Sequence, residues 1–118
     1  MSYDIDLCDS ITGEPLLLDA PHHMTGGTYP LGGSDVASFN VTYNYSEHFG
    51  RVLGEKGIRS IYGMSGADSI LVLGKAIADL GDDVSDDYWE PTEGNAKRAL
   101  MCLLALAKMR PDGVWNGD

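Results

Sequence analysis

A chain of 118 residues with 43% apolar side chains is long enough for one hydrophobic core and too apolar for a disordered segment. Its formal charge of −10 argues against direct contact with nucleic acid, whose phosphates would repel it, and favours a basic protein surface as partner. The longest apolar run, Ala99–Ala107, is too short to cross a bilayer, and MSYDIDL has neither a basic region nor an apolar run, so no signal peptide, no membrane span and a cytoplasmic location are expected.

Tyr3, Ile5 and Leu7 alternate with Asp4 and Asp6, the pattern of a strand with one wet face. Turn residues between Asp9 and Glu14 and an apolar Leu16–Leu18 predict a hairpin over the first eighteen residues. Residues 20–34 are irregular, with Pro21, Pro30 and two Gly-Gly pairs around a short strand at Thr28–Leu31. Phe39, Val41, Tyr43 and Tyr45 alternate with Asn40, Thr42 and Asn44 and predict a second clear strand.

The period then changes. Ser46 reads as a helix cap, Phe49, Val52 and Leu53 as its buried face, and Gly57 as its end. Ile58, Ile61 and Tyr62 predict one further helical turn or a short extended link. Ser65, with Asp68 three residues on, starts another helix, with Ile70, Leu73, Ile77 and Leu80 as its stripe and Gly81 as its stop. Thr92 caps the last helix, Ala96–Met109 is apolar nearly all round, and Pro111 forbids continuation. Trp115 in the tail is expected to fold back on the domain. Strands first and helices second predict one α+β domain: 1–45 mainly β, 46–110 mainly α, 111–118 a C-terminal tail, the small antiparallel sheet packed against three or four helices.

The candidate sites are few. His22, His23 and His48 lack metal-ligand spacing, and Cys8 and Cys102 form neither a disulfide framework nor a Cys-x-x-Cys pair, so neither a metal nor a cofactor is expected. No nucleophile sits in a recognisable elbow, which leads to the expectation of a protein that is not an enzyme. The Gly-Gly pairs at 26–27 and 32–33 match neither phosphate-loop pattern. The acids between Asp79 and Glu93 lack the order of a calcium loop. At Thr92 plain capping is favoured over anion binding, because Glu93 and its acidic neighbours oppose an anion.

The most informative stretch is 82–98, DDVSDDYWEPTEGNAKR. Five acids within Asp82–Glu90 are followed by a helix start and interleaved with two aromatics. Asp82, Asp83, Asp86, Asp87, Tyr88, Trp89 and Glu90 are the candidate partner-binding residues, the acids for steering and ion pairs and the aromatics as anchors. A solvated acidic loop is the competing reading.

The segments NVTYNYSEHF at 40–49, GEKGIRSIYGMSGADSI at 54–70, DDYWEPTEGNAKRAL at 86–100 and PDGVWNGD at 111–118 resemble a family of small bacteriophage and prophage proteins without an agreed activity. The resemblance covers most of Asn40–Asp118, with TYNY and YWEPTEGNA as its most specific parts and residues 1–35 matching more loosely. It transfers no catalytic residue. It implies a context, an infected or lysogenic bacterial cell, and a role common in that context: an anti-CRISPR or other anti-defence inhibitor that blocks a basic surface of a host nuclease or DNA-binding complex. Two alternatives stay open. One is a sponge for a nucleotide signal, using the Gly-Gly loops, Tyr29, Asn44, the Thr92 helix start and cations such as Arg51, Lys56 and Arg59. The other is a host-takeover or virion-assembly accessory protein.

Overall fold

A computed structural model describes residues 1–24, 34–87 and 89–118. The fold is α+β. Strand β1 (Ser2–Cys8) is the centre of a three-stranded antiparallel sheet, flanked by β4 (Ser38–Thr42) on one side and β5 (Val114–Gly117) on the other. The alternation read from the sequence holds: Tyr3, Ile5 and Leu7 face the core and Asp4 faces water. Tyr3 and Ile5 stand opposite Val41 and Phe39, and Leu7 stands opposite Trp115. Every one of those six side chains is buried, so a one-residue slip would turn the core set outward.

The expected hairpin is present only at its turn. Asp9 Oδ1 accepts the amides of Ile11 and Thr12, and Leu16 N–H donates to Leu7 O at 2.9 Å. From Leu17 the chain leaves β1 and forms a separate sheet, β2 (Leu17–His22) with β3 (Ser34–Val36). A strand has two edges, and those of β1 are taken by β4 and by the C-terminal β5. The strand expected at Thr28–Leu31 lies outside the described residues.

The strand expected to run through Tyr45 ends at Thr42. Thr42 Oγ1 accepts the Asn44 amide at 3.2 Å and starts a 3₁₀ turn, Tyr43–Tyr45. That turn buries Tyr45 and sets Tyr43 edge-on to Tyr3, ring centres 4.5 Å apart. The chain runs from it directly into helix α1 (Ser46–Leu53), so Ser46 is the first helical residue and no side chain caps the helix. The helix ends at Gly54, whose φ is 98°, three residues before the glycine chosen from sequence. Gly57 instead opens a second 3₁₀ turn, Gly57–Ile61, which buries Ile58 and Ile61.

Helix α2 (Gly66–Ala78) starts as expected, with Ser65 Oγ accepting the Asp68 amide at 3.0 Å. Its fully buried positions are Gly66, Ser69, Leu73 and Ala76; Ile70 and Ile77 are half-buried. The stripe is turned toward small residues because the chain crosses close by. A Cβ on Gly66 would sit 2.8 Å from Arg110 O. Helix α3 (Glu93–Met109) is the central helix, with Ala96, Ala99, Leu100, Leu103, Leu106 and Ala107 all buried. The tail is not an appendage. It supplies β5, and Trp115 is 1% exposed.

A braced acidic loop at the start of α3

Residues 79–92 join α2 to α3. They turn back onto the first turn of α3 because Gly94 leaves room: a Cβ there would lie 2.5 Å from Val84 N and 2.7 Å from Asp83 C. Next along the helix is Asn95, 3% exposed, the hub of the loop. Its Oδ1 accepts the Ser85 amide at 3.1 Å, and its Nδ2 donates to the carbonyls of Asp87 at 3.2 Å and Glu90 at 2.9 Å. One side chain thus satisfies three backbone groups that the turn would leave open.

The rest of the molecule holds the loop from the other side. Asn44 Nδ2 donates to Trp89 O at 2.9 Å, and His48 Nε2 to Pro91 O at 2.7 Å. Arg51 from α1 meets Glu93 at 2.8 Å, and the Glu93 carboxylate also accepts the Gly81 amide at 3.3 Å. The arginine first, and the amide second, hold the Glu93 carboxyl below the usual carboxylate range.

Most of the acids expected to meet a partner already have one in the loop or on α3. Asp82 Oδ1 accepts from Lys97 Nζ at 2.6 Å. Asp83 Oδ1 accepts the Gly94 amide at 3.2 Å and joins Glu93 as an anion at the positive end of α3. Asp87 Oδ1 accepts the Trp89 amide at 3.1 Å, and Glu90 Oε2 accepts from Ser85 Oγ at 2.6 Å. Asp86 is exposed. Tyr88 lies outside the described residues. Trp89 is 48% and Val84 54% exposed. Among the described residues, the outward chemistry of the loop is therefore two exposed apolar side chains, Val84 and Trp89, and the exposed carboxylates beside them on a hydrogen-bonded backbone.

The amides at the start of α3 are engaged: Gly94 N–H by Asp83 and Asn95 N–H by Thr92 Oγ1 at 3.1 Å. This is capping, as favoured from the sequence. Two of the cations suggested for a nucleotide site are paired, Arg51 with Glu93 and Arg59 with Asp118 at 3.0 Å. The Gly-Gly pairs and Tyr29 lie outside the described residues. Among the described residues no group of three or more His, Cys, Asp or Glu is placed to hold a metal, and no helix is long and apolar enough to cross a membrane.

Sequence reasoning picked out the acids and Trp89, weighed Asn44 and His48 only for other roles, a nucleotide site and a metal, and passed over Asn95; all three hold the loop. The one available signal was an asparagine, a poor helix former, inside the first turn of an alanine- and leucine-rich helix. Comparison with family models, curated proteins and solved structures finds no match to the chain.

Proposed function

We propose that the protein is a binding protein that docks on a basic surface of a partner through the loop Asp82–Glu90. In the phage context implied by the resemblance, that partner is a host nuclease or DNA-binding complex, and the protein is a non-enzymatic anti-defence inhibitor of the anti-CRISPR kind. The observation that carries the reading is a half-exposed Trp89 on a loop whose backbone is pinned by Asn95 and Asn44. A tryptophan standing out from a pre-ordered loop loses little conformational freedom on docking and offers a large desolvated anchor. The net charge of −10 steers such a loop toward a positive channel, and the carboxylates at its rim match one.

The test pairs two equal changes. Asp86→Lys with Trp89→Ala alters one exposed charge and one exposed apolar side chain in the loop. Glu55→Lys with Leu71→Ala does the same elsewhere, where Glu55 is exposed and Leu71 is 83% exposed. Host nucleases and DNA-binding complexes are then titrated with each. A partner that loses the first variant and keeps the second supports the reading. Equal binding of both to every partner captured by the parent refutes it, because a general field effect treats them alike.

A further inference from the structure

Along α3, beyond Asn95, runs a face that the core does not use. Arg98, Met101, Cys102 and Ala105, with Met24 beside them, line a shallow groove of about 280 Å³. Met101 in its lining is 50% exposed, and Lys108, also exposed, stands ten residues from Arg98, about 15 Å along the helix. Of the eight lysines and arginines, four lie between Lys97 and Arg110, whereas Glu93 is the one acid of residues 93–110. Lys97 and Arg110 are paired with Asp82 and Asp112. Arg98 and Lys108 have no carboxylate partner among the described residues, and residues 25–33 and 88 contain no carboxylate. The most cationic stretch of a strongly acidic molecule is thus an apolar groove with an unpaired cation toward either end.

The loop is its complement: exposed Trp89 and Val84 among carboxylates. We propose that the groove is the seat of the acidic loop of a second copy of this chain, Trp89 lying against Met101 and Ala105 while Arg98 and Lys108 take carboxylates of the Asp82–Glu90 segment. Each copy carries one loop and one groove, so two copies related by a two-fold axis make the contact twice. The self-repulsion of two −10 molecules opposes association everywhere else on the surface and is least where one copy presents its most cationic stretch to the most acidic stretch of the other. An interface of two loops and two shallow grooves falls at the small end of specific contacts, below about 1,200 Å², so the dimer is weak. Self-association covers the same loop that the proposed function uses, and a target and a second copy compete for it.

The inference rests on the reading of the loop as a docking element, and its test separates the two. Sedimentation of the parent from roughly 10 μM to 1 mM, a range suited to a weak interface, should show a monomer–dimer equilibrium. Trp89→Ala spoils the loop. Arg98→Glu spoils the groove, with Met101→Gln as a second groove variant should the first melt early. Each should weaken dimerisation by about tenfold or more, the loss typical of an interface anchor. An equimolar mixture of a loop variant and a groove variant should recover part of the association, because the intact groove of one still receives the intact loop of the other. A parent that stays monomeric throughout, a dimer that either class of variant leaves unchanged, or a mixture no tighter than its components overturns the inference. A monomer that still captures a target by its loop sinks this inference alone. A dimer with the expected complementation whose loop variant binds every target normally sinks the functional reading alone.

Discussion

Ser69 and Trp115 are joined by a buried hydrogen bond of 2.7 Å from the indole Nε1 to Oγ, while the Ser69 hydroxyl donates to Gly66 O at 2.8 Å. The pair ties the C-terminal strand to the first turn of α2 across 46 residues. Main-chain bonds reinforce it: Trp115 N–H to Met64 O at 2.9 Å and Gly63 N–H to Trp115 O at 2.8 Å. Ser69→Ala leaves the indole N–H buried without an acceptor and should cost about 1–3 kcal/mol in urea unfolding. In a Trp115→Phe background the same change should cost much less. Equal losses in both backgrounds would show that the hydrogen bond contributes nothing specific.

Leu103 is fully buried in the middle of α3. Leu103→Asp places an unpaired charge there, at a cost of several kcal/mol, on the order of the whole stability of a small domain. The variant should lack a cooperative melt, as read by circular dichroism. A melt close to that of the parent would remove α3 from the centre of the core.

The bracing of the acidic loop is tested at its hub. Asn95→Ala removes the acceptor of the Ser85 amide and the donors to two carbonyls, and Gly94→Ala drives a methyl into the backbone of Asp83 and Val84. Both should speed hydrogen exchange at the Ser85 amide and raise susceptibility to proteolysis between Asp82 and Glu90, while the β1–β4 amides stay protected. Unchanged exchange at Ser85 in both variants would show that the loop is held by something else.

The Glu93 carboxyl titrates below its ordinary value of 4.5, because Arg51 and the Gly81 amide favour its charged form. A depressed folded pKa adds stability that is complete above the unfolded value and is lost as pH falls through the folded one. Glu93→Gln should therefore lower the urea midpoint at neutral pH, and the gap to the parent should close on acidification below about 4.5, the ordinary value. A gap that persists undiminished to about pH 3 would assign the loss to packing instead of charge.

Burial pushes the Cys102 thiol up to about 11, so the thiolate is a minute fraction at neutral pH. A disulfide reagent at pH 7 should label it slowly in the native protein and rapidly after unfolding. Native labelling as fast as that of a free thiol would show the side chain to be open to solvent.

What could be read from the chain alone was whatever depends on neighbours in sequence. Alternation of apolar residues marked β1 and β4, the caps Ser65 and Thr92 marked the starts of α2 and α3, and Pro111 marked the end of α3. The α+β class followed from their order. Each rests on local chemistry: a pleat with two faces, a side-chain oxygen bonded to an amide three residues on, a ring that cannot donate.

Tertiary structure decided which strand edge is taken and which way an acid turns. β1 is flanked by β4 and by a C-terminal strand that the sequence showed only as a tail with a tryptophan, and this sends Leu17 away to β3. Nothing local to residues 16–18 carries that information, because an edge is contested by segments about a hundred residues away. The loop follows the same rule. All five acids of 82–90 look alike as letters, yet Asp83 caps α3, Asp82 meets Lys97, and Asp87 and Glu90 brace the turn. What separates them is the close approach at Gly94 and the three bonds of Asn95, distances that exist only once α3 has packed.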